Sequence, residues 1–262
     1  MTPKRALSAP IIHSSSAVPT PSSLRLVPAS PAAPPTVIAP IAVTRGASPL
    51  FLASEFLLSF IGIPLALFFR LATKLPPLPV LWLVSVYCLV VLLRDPTFDR
   101  RQLWNPAPLR QQLPQVLALF AAGVIVVSAL VHQYAPSLFL ILLRTHPRMW
   151  AFIMVGYPLF SVYPQGLIYR AFLFHRYRPL LQSCDPLVRS WIMILVSAAT
   201  FALMHILFHN WIAVAMTFPG GIIFALRYCN TRSLCVSSIE HALYGCFLFT
   251  IGLGQFFYIK VV

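Results

Sequence analysis

The sequence predicts an all-α fold, a polytopic membrane helix bundle of about seven or eight transmembrane helices. Three observations carry this. Of 262 residues, 59% are hydrophobic and only 9% are charged, against roughly 25% charged in an ordinary soluble domain. The apolar residues gather in runs near the ~20 residues that one crossing needs. The 19 Lys and Arg, against 5 Asp and Glu, give a formal charge of +14 and are spread between those runs. That placement suits membrane edges facing anionic lipid. Without a basic amphipathic face, it argues against nucleic acid as a partner.

Residues 1–48 differ from the rest. They are rich in Pro, Ser and Ala and contain no acid. Such a segment buries too little apolar surface to offset its ordering entropy, so it reads as a disordered N-terminal tail. The same composition also fits an organellar transit peptide. Residues 49–262 read as the transmembrane domain. The first apolar run covers residues 49–70 and the second 77–93, closed by Arg94-Asp95-Pro96. A polar loop follows, and a third run covers 114–134. Residues 137–143 are apolar but too short to cross, which suggests a re-entrant or interfacial segment. The fourth run, 149–174, contains Pro158 and Pro164, so a kink or a broken helix is expected there. Runs at 190–208, 211–229 and 233–254 complete seven.

With the N-terminus placed inside, thirteen basic residues fall on the inner segments and five on the outer ones. The positive-inside rule therefore favours that orientation. The five cysteines lie mostly in or beside apolar runs and form no C-x-x-C pair. They read as small hydrophobes.

Polar residues inside apolar runs are costly and mark function or a partner. Arg170 lies near the end of the fourth run, where it either snorkels to the interface or serves a site. His205 and His209 are spaced i, i+4. On a continuous helix they share a face that suits two imidazoles on one metal ion. Glu240 and His241 are adjacent, about 100° apart on a helix, so each needs a partner from another helix. A buried Glu and His can transfer protons or bind metal, or can simply link helices. Small residues at Pro219-Gly220-Gly221, Gly252 and Gly254 read as sites of close helix approach.

Three segments follow one another in order: Gln165-Gly166-x-x-x-Arg170, Phe201-x-x-x-His205, and His241-Ala242-Leu243-Tyr244-Gly245-Cys246. Together they resemble the CAAX-processing and bacteriocin-processing (CPBP, or ABI) intramembrane proteases, whose motifs are E-E-x-x-x-R, F-x-x-x-H and H-x-x-x-N. The resemblance covers roughly residues 145–257. It implies an intramembrane helical fold and a metalloprotease that hydrolyses peptide bonds of membrane-associated substrates, including prenylated CAAX-type proteins. It implies that a glutamate activates water, that Arg170 orders the first motif by ion pairing, and that His205 and His241 bind a metal, with zinc the implied ion, or stabilise the oxyanion; the i, i+4 spacing adds His209 as a further metal candidate. Membrane lipid and a membrane-associated peptide or prenylated protein are the implied partners. The implied location is a bacterial inner membrane, with an organellar membrane as the alternative.

The chain departs from the motifs at four positions. Gln165 and Gly166 stand where the family has glutamates. Gly245 stands where it has an asparagine, followed by Cys246. Loss of a general base typically costs 10²–10⁴-fold in rate. The activity implied is thus weakened or lost, unless Glu240 replaces the missing carboxylate. The alternatives are an inactive membrane binding protein and a proton-coupled transporter built on Glu240 and the histidines.

Overall fold

The computed structural model describes residues 47–69 and 76–258. The tail expected over residues 1–48 lies almost wholly outside the described residues. Seven described helices are long and apolar enough to cross a membrane. They are α1 (Pro49–Phe68), α2 (Pro77–Arg94), α3 (Leu109–Tyr134), α4 (Pro147–Arg176), α5 (Pro186–Phe208), α6 (Trp211–Thr231) and α7 (Leu234–Ile251). The chain is a multi-pass integral membrane protein.

Local chemistry sets where the helices begin. Ser48, Asp185, Asn210 and Ser233 each accept a hydrogen bond from a first-turn N–H of α1, α5, α6 and α7 respectively. Such caps satisfy donors that the helix itself leaves unpaired. Pro49, Pro147 and Pro186 occupy first helical positions, where the missing N–H costs nothing. Gly252 ends α7 at φ 106°. A Cβ there would run into the carbonyl of Leu138, so only glycine lets the two backbones meet.

Five of the seven helices are longer than their apolar runs, while α1 and α7 are shorter. α3 begins at Leu109 instead of residue 114, and α5 at Pro186 instead of residue 190. The extra turns carry Arg110, Gln111, Gln112 and Arg189, whose polarity made them look like loop. The short apolar segment near 137–143 does not cross. It folds as a 3-10 turn, Pro136–Leu138, and a short helix, Ile141–Thr145. Its Leu140 N–H donates to the Ile251 carbonyl at the end of α7.

The core lies in the C-terminal helices. Half of the apolar window of α7 is buried, and 44% of those of α5 and α6, against 11% for α3 and 17% for α1. α5 and α6 pack along their length, and a Cβ on Gly221 would come within 2.8 Å of the Ala198 Cα. This is the close approach that small residues permit. Leu83, Ile125, Phe152 and Val155 lie exposed, as lipid-facing side chains should.

Proline did not break α4. The helix widens into π turns at Pro158–Val162 and again at Leu167–Phe172. A π turn adds a residue to the ring of backbone bonds and absorbs the clash and lost donor that proline brings. The second π turn carries Arg170.

Candidate functional site

Arg170 does not snorkel. Its side chain is 1% exposed, with the guanidinium 4.8 Å from the Phe201 ring of α5 and 5.2 Å from the Phe224 ring of α6. The residue lies in the π turn Leu167–Phe172, all of whose residues are buried. None of its three guanidinium nitrogens has a hydrogen-bond partner.

His241 sits on the same two rings. It stacks on Phe224 with ring centroids 4.4 Å apart and meets the edge of Phe201 at 5.4 Å. Tyr157 of α4 brings its hydroxyl 3.4 Å from His241 Nε2, while Nδ1 has no partner. His205 packs against Phe201 at 4.7 Å. Its Nδ1 lies 2.7 Å from the Phe201 carbonyl, an acceptor, so Nδ1 carries the proton and Nε2 keeps its lone pair. Arg170 lies within electrostatic reach of both histidines. The structure thus brings Arg170, His205 and His241 together around Phe201 and Phe224.

It does not bring His209 to them. The regular turns of α5 end at Met204, and a 3-10 turn carries His205–Phe208. His209 adopts a left-handed conformation at φ 55° and stacks on Phe68 of α1 at 4.7 Å. The shared i, i+4 face therefore does not form.

Glu240 faces elsewhere too. It is fully buried and accepts from Arg227 Nε and Nη2 of α6 at 2.7 and 3.1 Å. Arg227 Nη1 donates to Gln112 and Gln115 of α3. The residues pin three helices together. Arg227 was legible only as a basic residue near a helix end. The signal for it was the isolated intramembrane acid on the next helix, which needs a cation.

The four departing motif positions are repacked. Gln165 donates from Nε2 to Ser161 Oγ at 2.6 Å, and its Oε1 has no partner. A Cβ on Gly166 would meet Leu234 Cδ1 at 2.8 Å and Ser238 Oγ at 2.9 Å, so those side chains occupy the room of a longer residue. The Tyr157 ring fills the space beside Gly245, where any side chain would collide with it. Cys246 Sγ approaches the Met154 carbonyl at 3.8 Å. It also lines an apolar groove of about 440 Å³ with Phe120, Leu243 and Phe247. The α7 residues of that groove lie about half a turn from His241. Tyr157 and Phe224 were missed in the sequence, because aromatic residues in apolar spans look like ordinary core.

All five carboxylates of the chain have partners away from His205 and His241. Glu55 accepts from Tyr87 and Arg176, and Asp95 from Thr97 and His175. Asp99 and Asp185 cap the segments that follow them. Glu240 holds Arg227. A catalytic zinc usually has three protein ligands plus water. No cluster of three His, Cys, Asp or Glu side chains exists among the described residues. Two imidazoles beside a guanidinium do not fit that ion.

Residues 146–247 match the family model of the type II CAAX prenyl endopeptidase Rce1-like proteins. This region is Rce1-like. It coincides with the segment picked out by the three motifs and contains every motif position, including Gln165, Arg170, His205, His241 and Gly245. No curated protein and no solved structure matches the chain. The Rce1-like region spans α4 to α7, the helices that form the core.

Proposed function

We propose that this protein is a membrane-embedded binding protein of the CAAX-protease type that holds a membrane-associated, prenylated peptide without hydrolysing it. One observation carries the reading: none of the chain's five carboxylates reaches His205 and His241. Water activation needs a group that takes a proton within hydrogen-bond reach. At the motif positions Gln165 has no basic oxygen and Gly166 has no side chain. Glu240, the remaining candidate, has its oxygens engaged by Arg227. Freeing it would cost roughly 3–5 kcal/mol, the penalty for breaking a buried pair.

The aromatic and imidazole groups that remain suit binding. Phe201, Phe224 and Tyr157 give an apolar frame, and Arg170 and His241 supply directional polar atoms. Most good ligand sites have this composition. The test uses the full chain in lipid nanodiscs and a farnesylated peptide ending in a CAAX sequence. Saturable binding is expected, with the peptide recovered intact. No binding above that of an unfarnesylated control would overturn the reading.

A further inference from the structure

The two buried arginines that face the core helices are treated very differently. Arg227 is saturated by Glu240, Gln112 and Gln115. Arg170 is as deeply buried, and Nε, Nη1 and Nη2 all lack a partner. The Phe201 and Phe224 faces attract the cation, but they do not satisfy its in-plane N–H groups. An unpaired charge in an apolar interior costs several kcal/mol. On the same two rings sits a second unsatisfied group, His241 Nδ1. The Tyr157 hydroxyl meets that ring at Nε2, 3.4 Å away, and leaves Nδ1 unanswered. The guanidinium therefore presents unanswered donors and the imidazole an open Nδ1, and neither has a hydrogen-bond partner there among the described residues. Gln165 and Gly166, one turn before Arg170, supply no anion, and the five carboxylates are committed elsewhere.

We propose that Arg170 and His241 form a receptor for the carboxylate of a membrane-associated ligand. The inference rests on the binding role proposed above and names the chemical group recognised. A planar carboxylate matches the guanidinium fork in a bidentate pair, and the bound carboxylate would draw the His241 proton to Nδ1, which adds a third donor. A phosphate dianion would need further cations, and the site has none. Both donors are buried, so binding entails local opening of the side chains over them. The carboxylate comes either from the C-terminus of a lipidated peptide or from a free fatty acid.

The full chain in nanodiscs is titrated with N-acetyl-S-farnesylcysteine and with its methyl ester, which differ in one charge. The acid is expected to bind about tenfold or more tightly than the ester. Arg170→Met should abolish that preference and raise the melting temperature of the ligand-free protein, because it removes an unpaired charge. A purely structural Arg170 would lower it. Palmitate competes with the farnesylated acid if the source is a fatty acid and fails to compete if it is a peptide end; both results support the carboxylate site. Equal binding of acid and ester, or a preference that survives Arg170→Met, overturns it. Cleavage of a CAAX peptide would sink the proposed function but leave this comparison readable. Loss of the acid preference with peptide binding intact would sink only this inference.

Discussion

At position 245 a missing side chain lets the Tyr157 ring approach α7 and put its hydroxyl beside His241. Tyr157 therefore occupies the region where the family resemblance places an amide. Gly245→Asn should destabilise the protein by about 1–3 kcal/mol, the usual cost of overpacking. Combining it with Tyr157→Ala should recover part of that loss in thermal unfolding in nanodiscs. If Gly245→Asn is as stable as the parent, the Tyr157 packing described here is wrong. The three motifs exposed Arg170, His205 and His241 because their spacing survives in the sequence. Tyr157 stayed hidden because its role exists only once α4 and α7 are packed. His209 misled for a related reason: the i, i+4 argument assumes a regular helix, and α5 tightens into a 3-10 turn at His205.

At the scale of helices, charge pairs decide which elements hold together. Arg227 and Glu240 join α6 to α7, and Gln112 and Gln115 extend the link to α3. Glu240→Gln should cost roughly 3–5 kcal/mol, since it strands a buried guanidinium. Replacing the pair together, Arg227→Met with Glu240→Leu, should restore much of the stability. A Glu240→Gln protein that melts like the parent would contradict the structural role assigned to the pair.

A second link lies just outside the membrane spans, where Asp95 follows α2. Its carboxylate meets His175 Nε2 at 2.9 Å. Burial pushes the Asp95 carboxyl up, but the Thr97 hydroxyl and N–H and the His175 ring outweigh it and hold it below the usual 3.8. A depressed folded value means the contribution is present above the unfolded value and lost as pH falls through the folded one. Acidification from neutral pH to below pH 3.8 should therefore lower the melting temperature of the parent more than that of Asp95→Asn. Equal acid sensitivity in the two proteins would remove Asp95 from the account.

On the scale of the whole molecule, most of the architecture was legible because lipid imposes a coarse code. Length and apolarity alone marked seven crossings, and the structure has seven helices that meet both criteria. The runs of α3 and α5 begin several residues after the helices do, because interfacial turns are polar yet still helical, as Gln112 and Arg189 show. The π turns of α4 left no local mark beyond Pro158 and Pro164, and Arg170 lies buried in one of them. The site was legible as a set of polar positions. The partners of those positions were not, since the Arg227–Glu240 pair and the Tyr157–His241 contact cross between helices.

In the proposed function, the cluster of Arg170, His205 and His241 lacks the carboxylate that would activate water. A time course of a farnesylated CAAX peptide with the full chain in nanodiscs, read by mass spectrometry, tests it most directly. The account predicts no shortened product above the level seen with His205→Ala. Release of the terminal residues by the parent chain, abolished in His205→Ala, would contradict it.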